Sequence, residues 1–226
     1  GTHFLQEKDE NGKVHYYTAK AAAELGSTGM VLSAVASDTN AIGYISLGSV
    51  NDTIRVLQVG GVLPSKETVL SGAYKIQRPF VVMTKKDQTL TPLTADFLAY
   101  LESNEAEAHC ESAGTIFLTD PAKRANEGET GIAVASYTKQ ASLPAGDKII
   151  VRGSTSMDKL IHAAAKGYAA LYGVSADKIF DIQLEGSSVG RKAVAQDTVG
   201  NTIGLSSAAV KQSDIRSFNI CLDAVA

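Results

Sequence analysis

An apolar strand that runs straight into a knot of small hydroxyl residues leaves a chain few folding options, and here the pattern occurs three times. Lys148-Ile-Ile-Val-Arg152 leads into Gly153-Ser-Thr-Ser156, Ile179-Phe-Asp-Ile-Gln-Leu184 into Gly186-Ser-Ser188, and Thr202-Ile-Gly-Leu205 into Ser206-Ser207. The first two clusters open segments with helical spacing. Strands that end this way, laid side by side in a parallel sheet, turn their O–H groups and free backbone N–H groups toward one rim. Such a rim is a cradle for a small oxyanion. Any single cluster is explained equally well as a helix cap, because Ser and Thr are common N-caps; three of them, each placed after a strand, are harder to explain that way.

Energetics permit the cradle. A charge-assisted hydrogen bond contributes about 1.5–3 kcal/mol and a helix N-terminus about 0.3–1 kcal/mol, while micromolar affinity needs about 8 kcal/mol. A handful of converging donors is enough. The net charge of −3 means that local dipoles, and not bulk charge, must attract the anion. The same charge gives no support for a nucleic-acid or anionic-membrane surface.

Other chemistries find little foothold. The sequence holds no G-x-S-x-G, no P-loop lysine and no evident Ser-His-Asp order, so catalysis is not expected. His3, His15, His109 and His162 are scattered, and Cys110 and Cys221 lack metal-ligand spacing, so neither a metal site nor a disulfide is expected. The two thiols read as partly buried. No apolar run approaches the length of a membrane span, and no export signal is visible at Gly1-Thr2-His3, which reads as the middle of a longer sequence.

Along the chain, residues 6–13 form a charged stretch expected to be mobile. A short helix follows Ser27, with Met30, Val31, Ala34 and Val35 on one face. Strands are expected at 41–47 and 54–59, and a short helix from Pro64-Ser65 to Gly72. The segment 74–83 is extended, with Pro79 confining it to an edge or crossing strand. Thr91-Pro92 opens a helix carrying Phe97, Leu98 and Leu101. Residues 119–146 read as a Gly- and Pro-containing linker with at most one short strand, Ile132–Ala135. After it, Met157, Leu160, Ile161, Ala164, Tyr168 and Leu171 line a helix begun by Ser154 or Thr155, and a further helix spans about Gly190 to Gln196. Strands 179–184, 202–205 and 218–222 complete an α/β pattern with a mostly parallel sheet flanked by helices.

Gly153-Ser-Thr-Ser-Met157, Gly186-Ser-Ser-Val-Gly190 and Ile203-Gly-Leu-Ser-Ser207 together resemble the N-terminal part of the phosphate-binding proteins of phosphate ABC importers. Gly1-Thr2-His-Phe4, Ala41-Ile-Gly-Tyr-Ile-Ser-Leu47, Gly61-Val-Leu-Pro64 and Gly72-Ala-Tyr-Lys-Ile-Gln-Arg-Pro79 resemble the family's later segments. The resemblance covers nearly the whole chain apart from the linker, but in reversed order. It implies a type II periplasmic-binding-protein fold with a first lobe complete but permuted and a second lobe partial. Residues 1–75 would be the C-terminal part of the second lobe, 76–118 the return to the first lobe, 119–147 the linker and 148–226 the N-terminal part of the first lobe. A segment straddling two tandem modules is the simplest source of that order, and a circular permutation the alternative.

The resemblance also implies a ligand set. Thr155 and the backbone of Ser156 match one phosphate contact, Ser187 a second, and Gly1 and Thr2 the second-lobe contacts. Ser207, with Ser206 beside it, stands where some members carry an aspartate that accepts a phosphate proton, which weakens discrimination against sulfate. Asn201 replaces a frequent acidic residue. The family's arginine and serine just before Gly-Thr are not in the sequence, so weak or undetectable phosphate binding is expected. The implied partners are inorganic phosphate and membrane permease subunits, with no cofactor and no nucleic acid. The implied location is extracellular, at the cell surface or periplasmic, with a membrane-anchored lipoprotein as parent. Two other readings are a binding-protein-like module with lost or altered oxyanion specificity, acting as a scaffold or interaction domain, and an exchange of halves between two chains.

Overall fold

The computed structural model describes residues 5–11, 14–17, 22–125 and 131–226, so Gly1 and Thr2 lie outside the described residues. In chain order the elements are β1 (Leu5–Lys8), β2 (Val14–Tyr17), α1 (Thr28–Ser37), α2 (Lys66–Leu70), β3 (Gln77–Lys85), α3 (Pro92–Glu102), α4 (Ala106–Ser112), β4 (Ile116–Phe117) and α5 (Pro121–Arg124). There follow β5 (Ile149–Gly153), α6 (Asp158–Leu171), α7 (Ala176–Ile179), β6 (Phe180–Gln183), α8 (Ser187–Gln196), β7 (Thr202–Ser206) and β8 (Ile215–Ala224). Single 3-10 turns lie at Leu47–Ser49 and Thr155–Met157.

Phe80 to Thr84 are buried without alternation, which places β3 in the interior of a sheet covered on both faces. The strand order is β4-β8-β3-β7-β5-β6. β5 is parallel to β6 and β7, whereas β3 is antiparallel to β7 and β8, and β8 is antiparallel to β4. The sheet is therefore mixed and flanked by helices, but not mostly parallel as expected: three of its pairings are antiparallel and two parallel, the parallel ones lying in the strands that carry the hydroxyl turns. Pro79 sits in a central strand after all. It pairs only with Leu222 of β8, because the β7 ladder begins at Val81, and the register shifts just beyond it. Its missing N–H faces no second neighbour there.

Helices α3, α4 and α6 cover one face with a core around Phe97, Leu101, Tyr168, Phe180 and Ile203. Phe97 meets Phe180 and Tyr168 edge-on at 4.6 and 5.1 Å between ring centres. The opposite face packs Val81 and Met83 against Val194 of α8. Cys110 and Cys221 are fully buried, more so than expected, and burial beside Cys110 pushes the Cys221 thiol up. No described helix is long and apolar enough to cross a membrane.

Several expectations are corrected. Part of the charged stretch 6–13 lies in β1, which pairs antiparallel with β2. The strands expected at 41–47 and 54–59 do not form. Alternating apolar residues favour a sheet, yet these segments find only isolated bridges, Ser46 to Val225 and Val59 to Val62. Extended backbone with no neighbour is not stabilised as a strand, and Ile42, Tyr44, Leu57 and Leu63 are left exposed. The apolar face of α1 is only partly covered: Val31 and Val35 are half-buried against Gly43, Met30 and Ala34 are exposed, and no residue is fully buried. The strand expected at Ile132–Ala135 reduces to one bridge from Ala135 to Ser103. The segment 131–146 is nevertheless not loose, since Ile132, Val134, Tyr137 and Leu143 pack on the main core. Tyr137, Tyr168 and Tyr172 all donate to Asp96 Oδ2, at 2.6, 2.7 and 3.0 Å.

Between α4 and α3, the Tyr100 hydroxyl lies 2.7 Å from His109 Nε2. Burial lowers the His109 pKa and pushes the Tyr100 phenol up to about 12. A depressed histidine contributes stability that is complete above its unfolded value of about 6.5 and is lost as pH falls through the folded value. Urea midpoints are expected to drop between about pH 7 and pH 5, and His109→Gln to flatten that part of the profile.

Candidate functional site

Topology brings the site together before any side chain is considered. Because β5, β6 and β7 are parallel, their carboxyl ends share one rim of the sheet. The chain leaves β5 for β6 on one side and later returns to β7 on the other, which opens a crevice at the end of β5. β3 is antiparallel to β7, with Val81 opposite Ser206, so the start of β3 reaches the same rim. β8 is antiparallel to β3, and Arg78 faces Asp223 there.

Two glycines let the turns close on one another. Gly153 has φ +149, and a Cβ on it would stand 2.1 Å from the Leu205 carbonyl oxygen. A Cβ on Gly190 would lie 2.8 Å from the Arg152 oxygen and 2.9 Å from that of Leu205. Any side chain at either position would separate α8, β5 and β7.

Around this point the hydroxyls converge. Ser154 Oγ donates to Ser207 Oγ at 3.0 Å and accepts from the Ser156 N–H at 3.3 Å. Ser207 N–H donates to Ser187 Oγ at 3.1 Å, and the two hydroxyl oxygens are 3.4 Å apart. Thr28, the first residue of α1, lies 3.5 Å from Thr155 Oγ1 and 3.3 Å from Ser156 Oγ through its own hydroxyl, and its N–H donates to Thr155 Oγ1 at 3.4 Å. Arg78 enters from β3. Its Nη2 donates to Ser156 Oγ at 3.0 Å, Nη1 reaches Ser207 Oγ at 3.5 Å, and Nε pairs with Asp223 Oδ2 at 3.0 Å. The other oxygen of Asp223 accepts from Ser46 Oγ at 2.7 Å. Burial raises the Asp223 pKa, against the opposing pull of Arg78 and Ser46.

Of the expected site residues, Thr155, Ser156, Ser187 and Ser207 are brought into one cluster. Ser206 is not: its hydroxyl donates to the Ala208 carbonyl at 2.8 Å and its side chain is fully buried in the turn. Asn201 donates to the Lys148 carbonyl at 2.9 Å, tying β7 to β5 away from the cluster. Sequence reasoning missed Ser154, Thr28, Arg78 and Asp223. The available signal for Arg78 was an arginine standing directly before the apolar run 79–83, at the end of the strand that meets the rim. Thr28 was hidden behind a good capping position at Ser27. Among the described residues, no group of three or more His, Cys, Asp or Glu could hold a metal ion.

No protein-family model matches the chain. A phosphate-binding protein PstS 2 of Streptococcus pneumoniae is 34% identical over 225 residues, covering 98% of this chain and 69% of the relative. A protein of the same name from Streptococcus agalactiae is 33% identical over 186 residues, which is 82% of this chain and 57% of the relative. A crystal structure of a phosphate ABC transporter phosphate-binding protein from S. pneumoniae superposes with a TM-score of 0.66 at 32% identity, covering 97% of this chain and 78% of that one. The extent of these matches in sequence and in fold makes this chain a member of the phosphate-binding proteins of phosphate ABC transporters.

Proposed function

We propose that this chain is the substrate-binding component of an ABC importer and that it takes inorganic phosphate at the hydroxyl rim. Thr155, the Ser156 N–H, Ser187 and Ser207 are the first-lobe ligands, and Gly1 and Thr2 serve from the second lobe. The convergence of Thr155, Ser156, Ser187 and Ser207 from the turns that follow three parallel strands, two leading into helices and one into the loop before β8, is the observation that carries this reading. Uncharged O–H and N–H dipoles at the strand ends and helix N-termini replace the water around a tetrahedral anion.

The lobe assignment follows the same logic. The six-stranded sheet joins β3 and β4 to β5–β8, which supports one first lobe built from 76–118 and 148–226. Residues 1–75 then form the partial second lobe, and 119–147 connect the halves. A relative that matches 225 residues of this order supports a permuted module over a segment straddling two modules. Closure of the second lobe over the anion would create the surface that docks on permease subunits outside the membrane. Neither catalysis nor a cofactor enters this function.

Calorimetric titration of the 226-residue chain with phosphate, sulfate and molybdate tests the reading. Saturable phosphate binding is expected with a Kd between about 1 μM and 1 mM, and sulfate is expected to compete because Ser207 offers no carboxylate acceptor. The Thr155→Ala, Ser187→Ala pair should weaken phosphate by about 100-fold. Absence of any oxyanion binding at millimolar concentration would overturn the proposal.

A further inference from the structure

We propose that Arg78 contacts the bound anion and supplies the rim with its positive charge, and that Asp223 is the positioning residue that aims it. The proposal rests on the oxyanion reading above and adds residues from the long β3–β8 pair, which no strand-to-helix turn contains.

Three observations carry it. First, the ion pair uses only Nε. A guanidinium serving just to join two strands would present its two-pronged face to the carboxylate. Here Asp223 Oδ2 takes Nε at 3.0 Å, and both terminal nitrogens point at rim hydroxyls, Nη2 to Ser156 Oγ and Nη1 toward Ser207 Oγ. Four N–H bonds on those two nitrogens leave donors beyond the serine contacts. Second, Ser156 Oγ accepts from the guanidinium, and with Thr28 as the donor across their 3.3 Å contact the serine keeps its own hydrogen, polarised by Arg78, for an anion. Arg78 thereby acts on the anion directly and through Ser156. Third, Asp223 is spoken for. It is fully buried, with one oxygen on Ser46 and the other on Arg78. It offers no open carboxylate oxygen either to repel a dianion or to accept a proton from a protonated one.

A rim of that kind reads charge and tetrahedral shape. Phosphate dianion and sulfate should therefore depend on Arg78 to a similar degree. The side chain keeps 22% of its surface exposed, so an anion can reach it without disturbing the Asp223 pair.

The experiment is calorimetry with inorganic phosphate and, separately, sulfate on the unsubstituted chain and on Arg78→Met, Arg78→Lys, Asp223→Asn and the Arg78→Met/Asp223→Asn double variant. Thermal melts establish that each variant is folded. Arg78→Met is expected to weaken both anions roughly 100-fold, as loss of two charge-assisted hydrogen bonds. Arg78→Lys should keep the charge without the fork and lose about tenfold. Asp223→Asn should cost about tenfold in the natural background and nothing further once Arg78 is methionine. A purely structural Asp223 would cost the same in both backgrounds, which overturns its positioning role. A folded Arg78→Met variant that binds phosphate within threefold of the unsubstituted chain overturns the Arg78 contact while leaving the hydroxyl cradle standing. If the methionine variant does not fold, undiminished affinity in Arg78→Lys overturns it instead. Failure of the unsubstituted chain to bind either anion strikes the cradle itself, a separate result.

Discussion

Gly153→Ala is expected to lower stability by about 3 kcal/mol or more and to abolish anion binding with it. The backbone at Gly153, φ +149, lies where an L-residue is strained. The added methyl would also be driven to 2.1 Å from the Leu205 oxygen and 2.7 Å from the Leu205 nitrogen. Both are backbone atoms of β7, so no side chain can swing aside. Relief requires β5 and β7 to part at the very place where Ser154 N–H donates to the Leu205 carbonyl and Gly186 N–H to that of Gly153. Gly186→Ala is the control, because its φ is +117 but nothing lies within 4 Å of an added Cβ. It should cost only the backbone strain, about 1 kcal/mol. Urea unfolding of the two variants compares the terms, and equal losses would refute the role assigned to the β5–β7 contact.

Asp223→Ala should destabilise by about 3 kcal/mol, the lower end of what breaking a buried ion pair costs. The lower end applies because Arg78, with 22% of its side chain exposed, retains some hydration when its partner leaves. Ser46 loses its acceptor at the same stroke. Removing both charges together should restore part of the loss, since the larger penalty is the stranded cation and not the absent attraction. The paired Arg78→Met/Asp223→Ala variant is therefore expected to be more stable than Asp223→Ala alone. Urea midpoints for the two decide the matter, and a double variant at least as unstable as the single one contradicts the argument.

The hydroxyl turns could be read in the sequence because everything about them is local. An apolar strand, a glycine and a run of Ser and Thr are adjacent in the chain, and parallel neighbours bring such turns to one rim without further information. Arg78 and Asp223 could not be read that way. They stand 145 residues apart, and only the antiparallel register of β3 on β8 makes them partners. Ala41–Leu47 and Ile54–Val59 mislead for the complementary reason. Their alternation states which side chains favour burial, while strand formation depends on a neighbour the pattern cannot supply. The start of α8 was placed too late because Gly186-Ser-Ser-Val-Gly190 has poor helical propensity. The helix begins at Ser187 all the same, with Gly190 admitted into its first turns by close packing on β5 and β7.

The clasp of Tyr137, Tyr168 and Tyr172 on one oxygen of Asp96 also bears on how two copies of this chain can behave. Segment 131–146 is a belt fastened to α3 and α6, held further by Asn104 N–H on the Ala135 carbonyl and Leu93 N–H on that of Ala145. Trading C-terminal halves between neighbours would require unbuckling that belt in both partners and stripping β5–β8 from β3, which amounts to melting the lobe. Swapped dimers are then expected only from chains folding together at high concentration and not from folded molecules meeting.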